Sequence, residues 1–108
     1  MKLHSPLSIL VLLFLAGCAT HYHELKDSSL DLYLRAPKAT VVYFSSSLED
    51  FEPRKAERIL DHTWKVTVPS GMEFTYFYIV DGKVHIPPCR LKEKDDFGGG
   101  NCVYVPEM

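Results

Sequence analysis

The stretch FTYFYIVDGKVHI, Phe74 to Ile86 of a 108-residue chain, decides the fold. Two runs of aromatic and β-branched residues flank Asp81-Gly82, the pairing that suits a two-residue type I′ turn, so the segment predicts a β-hairpin. In that register Val80 faces Lys83, Ile79 faces Val84, Tyr78 faces His85 and Phe77 faces Ile86. Successive pairs point to opposite faces of the ribbon. One face then carries Phe74, Tyr76, Tyr78 and Val80, the other Phe77, Ile79, Val84 and Ile86. Both are apolar. A sheet that buries one face normally wets the other, so one of these sets needs a second use.

Working outward from the hairpin, the period stays at two. Leu30, Leu32 and Leu34 alternate with Asp31 and Tyr33, Thr40 to Phe44 is rich in β-formers, and Trp64, Val66 and Val68 alternate with Lys65 and Thr67. Pro69-Ser70-Gly71 is a turn; Pro87-Pro88, a charged loop to Asp96 and Gly98-Gly99-Gly100 precede a last strand from Cys102 to Val105. Pro53 to Leu60 reads either as a short helix with Ala56, Ile59 and Leu60 inward or as a loop leading to a short strand. Short strands separated by frequent turns predict an all-β chain, a β-sandwich over residues 30–108 with Trp64 in its core.

The N-terminus reads differently. Lys2 is followed by an apolar run from Leu7 to Leu15, shorter than the roughly 20 residues of a membrane-spanning helix, ending in Leu15-Ala16-Gly17-Cys18. This resembles the lipobox of bacterial lipoproteins. The resemblance implies that residues 1–17 are a signal peptide and that Cys18 becomes the acylated first residue of the mature chain. Ala19 in place of Asp after the cysteine implies the outer rather than the inner membrane of the cell envelope. Residues 18–29 are polar and are expected to form a tether, with His21-Tyr22-His23 solvated rather than binding metal.

With Cys18 assigned to lipid, Cys89 and Cys102 form an even pair in an oxidising compartment. A disulfide between them closes a loop of about 14 residues, worth about 3 kcal/mol. A zinc site fits less well, because neither has a CxxC partner or a histidine at ligand spacing. Loss of residues 1–17 removes one lysine and leaves 11 cations against 14 anions, a net charge of −3. Arg54, Lys55 and Arg58 lie among Glu52 and Glu57, so nothing marks a nucleic-acid surface.

Catalytic patterns are missing. Ser45-Ser46-Ser47 lies outside any nucleophile elbow, Glu49-Asp50 and Asp95-Asp96 have no neighbour to split their pKa values, and the glycine triplet lacks the Lys-Ser/Thr of a phosphate loop. The chain reads as a non-enzyme with no cofactor.

The order of signals resembles the glycogen-binding module of AMP-activated kinase β subunits and the early-set domains of branching and debranching enzymes, carbohydrate-binding module family 48. VVYFSSSLEDF is similar to that family's opening strand and first binding loop, WKVTVPSGMEFTYFYIVDGKV to its strand, Pro-x-Gly turn, Tyr-rich strand and Val-Asp-Gly hairpin, and DFGGGNCVYV to its closing loop. The likeness runs from Ala39 to Val105 and implies an immunoglobulin-like early-set sandwich. That family's sugar site uses two Trp, a Lys, an apolar loop residue and an Asn. Phe51 stands where the first Trp is expected, Phe77 at the Lys, Val84 at the second Trp, Phe97 at the apolar residue and Asn101 at the Asn.

The resemblance also implies that Phe74, Tyr76, Tyr78 and Val80 enter the core while Phe77, Ile79, Val84 and Ile86 look outward. With the polar half of the sugar site mostly replaced, the outward face has three uses. It binds a protein partner or a second copy, it is covered by Leu30 to Leu34 as an extra strand, or Phe51, Phe77 and Phe97 form an aromatic platform for an α-glucan or envelope glycan. The first is the expectation carried forward, and the glycan is its alternative.

Overall fold

The computed structural model describes residues 20–60, 62–94 and 100–106. Residues 1–17, expected to be a signal peptide, together with Cys18, Asp95-Asp96, Phe97 and Gly98-Gly99, lie outside the described residues. The expected all-β sandwich is present as two antiparallel sheets. The first has the order β1 (His21–Leu25), β2 (Ser29–Arg35), β6 (Thr63–Pro69), β5 (Glu57–Arg58). The second has the order β4 (Arg54–Lys55), β3 (Val42–Ser46), β7 (Phe74–Val80), β10 (Gly100–Tyr104), β9 (Lys92–Lys94), with β8 (Lys83–His85) also paired to β7.

Alternation along the strands builds the core. Leu30, Leu32 and Leu34 of β2 and Trp64, Val66 and Val68 of β6 meet Val42 and Phe44 of β3 and Phe74, Tyr76 and Tyr78 of β7. Burial of each large side chain contributes about 1.5–3 kcal/mol. Asp31, between two of those leucines, is buried as well, held by Thr67 Oγ1 at 2.6 Å and Lys26 Nζ at 3.4 Å. The Thr67 hydrogen bond and the lysine charge keep its carboxyl below the usual range despite desolvation.

Two segments differ from expectation. Residues 21–25, expected within a polar tether, form β1, paired with β2 along its whole length. The pairing is driven by contacts that composition hides: Tyr22 stacks on Tyr33 at 4.8 Å, and His21 and His23 lie against the tyrosines of the second sheet. Of the two readings of Pro53 to Leu60 the strand-like one applies. β4 and β5 are separated by buried Ala56, whose N–H donates to Val42 O at 2.8 Å, and the chain crosses from one sheet to the other there. Because β2 sits in the first sheet with its leucines inward, it does not cover the outer face of the second.

Strand direction gives the sandwich two poles. One gathers Thr20, the 36–41 connection, residues 59–60 and His62 between β5 and β6, and the Asp81-Gly82 hairpin tip; Arg35 N donates to Thr20 O, Ala36 N to His62 O and Asp81 N to Val41 O. The other gathers the Lys26–Ser28 turn, the 47–53 loop and the 70–73 turn.

Candidate functional site

The hairpin sets the site. Asp81 and Gly82 both have positive φ, 49° and 85°, as a type I′ turn requires. Asp81 Oδ1 accepts from Thr40 N at 2.8 Å and Val41 N at 2.9 Å, which ties the turn to the entry of β3. Val80 pairs with Lys83, Ile79 with Val84 and Tyr78 with His85, so the expected register holds. Tyr78 is fully buried and Phe77 half-buried, placing the tyrosines inward and Phe77, Ile79 and Val84 on the outer face. Ile86 does not follow. The ladder stops at His85 because Pro87 and Pro88 cannot donate to it, and Ile86 turns to pack against the core beside buried Pro87.

Across the outer face Tyr43, Ile79 and Val84 lie in one register row, with Val84 67% exposed. The next row pairs Ser45 with Phe77, and Phe51 lies over it, its ring 6.1 Å from that of Phe77 and nearly parallel. Phe51 reaches this place through a strained loop: Asp50 and Phe51 have φ of 55° and 62°, a conformation that bulky residues avoid. Four bonds hold the loop there. Phe51 N donates to Ser46 O at 2.7 Å, Ser45 Oγ donates to Phe51 O at 2.7 Å, and Arg54 joins Glu49 Oε1 at 3.1 Å while donating to Thr67 O of the other sheet.

Beside the Phe51 ring a cleft of about 530 Å³ opens, lined by Ser47, Glu73, Thr75, Glu93, Lys94 and Asn101. Asn101 stands on β10 opposite Glu93 of β9, and Ser47 Oγ accepts from Thr75 N. The structure therefore brings Phe51, Phe77 and Asn101 to one face; Phe97 lies outside the described residues. The chain offers the cleft two carboxylates, an ammonium, two hydroxyls and an amide, polar groups that pairwise comparison with the early-set pattern did not reveal.

The predicted bridge is formed: Cys89 and Cys102 are disulfide-bonded with Cα atoms 6.0 Å apart. It fastens the segment that follows the hairpin to the middle of β10, and β9, with Glu93 and Lys94, continues from that segment into the cleft wall.

The histidines of β1 mark a second cavity, about 420 Å³, lined with Tyr76, Cys89, Arg90 and Tyr104. His21 Nε2 lies 3.0 Å from Tyr78 Oη, and its ring sits against Tyr76 and Tyr78. Burial first, and then the neighbouring His23 and His85 imidazoles, lower the His21 pKa to about 4. Burial pushes the Tyr76 and Tyr78 hydroxyls well up. Sequence reasoning left these histidines solvated; alternation of His21, His23 and Leu25 was the signal for a strand.

Among the described residues no three His, Cys, Asp or Glu side chains are grouped to hold a metal ion, and no helix is long and apolar enough to cross a membrane. No protein-family model and no curated protein matches this chain.

Proposed function

We propose that this protein is a lipoprotein of the bacterial envelope, acylated on Cys18 and held at the outer membrane, whose early-set-like sandwich is a non-catalytic interaction module. It binds a protein partner through the outer face of the second sheet. The observation that carries the reading is the row Tyr43–Ile79–Val84 flanked by Phe51 on Phe77, an apolar strip that no other described element of the chain covers. Strain in the Phe51 backbone supports it, since such conformations gather at binding sites. Val84→Ser and Phe77→Ser are expected to keep the strand circular dichroism of the parent while losing the partner in cross-linking of intact cells. Unfolding of both would assign the strip to stability instead.

The polar cleft favours a second reading, a glycan. An aromatic platform bordered by carboxylates and an amide suits the C–H face and the hydroxyls of a sugar. It predicts that maltooligosaccharide or an envelope glycan shifts the Phe51 and Asn101 resonances; a flat titration removes it.

A further inference from the structure

The tether is far shorter than composition suggests, and this fixes how the domain meets its membrane. Thr20 is already hydrogen-bonded to Arg35 at the end of β2, and Cys18 precedes it by two residues, a span of at most about 7 Å. An acyl group on Cys18 therefore leaves the domain no room to stand off. The pole that meets the bilayer is the one that gathers Thr20, residues 36–41, Leu60 and His62 between β5 and β6, and the hairpin tip.

The chemistry of that pole fits. Arg35, Lys38 and Lys83 are exposed there and make no ion pair among the described residues. Leu60, at the tip of the β5–β6 turn, is 78% exposed, the most exposed large apolar side chain among the described residues. A hollow of about 390 Å³ in the same pole is lined by Ala36, Pro37, Lys38, Ala39, Val80 and Asp81. Asp81, whose Oδ1 accepts from two backbone N–H groups, and Asp61, next to Leu60 in sequence, offset part of this charge, leaving three cations against two carboxylates. The opposite pole is acidic, with Asp27, Glu49, Asp50, Glu52 and Glu73 exposed. An anionic bilayer attracts the first pole and repels the second.

We propose that the pole formed by Arg35–Thr40, the Leu60 turn and the Asp81-Gly82 tip is a membrane-docking surface, seated on the anionic headgroups of the bilayer that holds Cys18, with Leu60 entering the interface. This rests on the acylation of Cys18 proposed above. Docking then sets the orientation of the binding face, with the Tyr43–Ile79–Val84 row beside the membrane-side hairpin and the Phe51 loop toward the pole that points away from the membrane.

The test uses the full processed protein in vesicles of phosphatidylethanolamine and phosphatidylglycerol carrying a headgroup nitroxide, with mass spectrometry of Cys18 run on the same sample. Line broadening is expected at residues 35–40, 59–60, 62–63 and 81–83 and not at residues 49–52 or 72–73. The double variant Lys38→Gln, Lys83→Gln is expected to lower the docking equilibrium by about 30-fold at low salt. A flexible insertion between Ala19 and Thr20 is expected to reduce the broadening while keeping the anchor. Even broadening over the surface, with Cys18 acylated, overturns the docking and leaves the anchor standing. An unacylated Cys18 overturns both. Broadening from a spin-labelled second copy instead of lipid assigns the pole to self-association and overturns the proposal.

Discussion

Phe51 lies parallel to Phe77, the ring planes 13° apart, although its own backbone is in the left-handed region at φ 62°. Stacking and the Ser45 and Ser46 bonds hold what the backbone resists. Stacking contributes about 0.5–1.5 kcal/mol beyond area, while a left-handed non-glycine residue costs about 1–2 kcal/mol. The two nearly cancel, so the ring can be presented to a ligand without a net gain in stability.

Glycine and alanine at this position separate the two contributions. Phe51→Gly loses the stack and relieves the backbone; Phe51→Ala loses the stack and keeps the strain. In urea unfolding the glycine variant is expected to be about 1 kcal/mol the more stable of the two, and neither should retain partner association. An alanine variant as stable as the glycine one would mean that the loop is unstrained.

His21 predicts a pH dependence of definite sign. Its pKa is lowered on folding, from the ordinary 6.5 to about 4, so the unfolded chain takes up a proton that the folded chain refuses. The contribution is complete above pH 6.5, declines as the pH falls from 6.5 to 4 and is gone below. A loss of about 2 kcal/mol across that window is expected, allowing for the part of the ring open to solvent. His21→Phe should flatten the profile in chemical denaturation at stepped pH, and a slope unchanged in that variant would place the titration elsewhere.

Replacing Cys89 and Cys102 together by alanine frees a loop whose ends are 13 residues apart and is expected to cost about 3 kcal/mol. Because β9 hangs from that segment, amide exchange at Lys92–Lys94 should accelerate more than at Phe74–Tyr78. Equal acceleration at both places would show that the bond acts on the whole sandwich and not on the cleft wall.

Ser46 is fully buried on β3, and its hydroxyl has no hydrogen-bond partner among the described residues. Ser46→Ala removes an unpaired polar group at almost constant volume and is expected to raise stability by about 1 kcal/mol. A loss of similar size in thermal unfolding would reveal a buried water bound to that oxygen.

The legible part of this protein follows the strength of local pattern. The Asp-Gly turn, the alternation around Trp64 and the leucines of β2 each have one physical solution, and the structure adopts it. Alternation left the hairpin's orientation open between two apolar faces; only the early-set resemblance pointed Phe74, Tyr76 and Tyr78 inward, where the structure has them. β1 was not. His21 and Tyr22 look polar by composition, yet they act as aromatic surface once Tyr33, Tyr76 and Tyr78 are near, and those neighbours are distant in sequence. Ile86 was misplaced because alternation was extended past a residue followed by two prolines. The cleft around Asn101 was half seen: Phe51 and Asn101 were named, but Glu73, Thr75 and Glu93 reach it from strand ends whose meeting depends on the pairing of three strands.

The bond between Cys89 and Cys102 also links the cleft to the redox state of its surroundings. With both thiols reduced, the two sheets are expected to keep their hydrophobic core while β9, the wall beside Phe51, loses its fastening. On the function proposed above, engagement of a target beside Phe51 is then expected only under oxidising conditions.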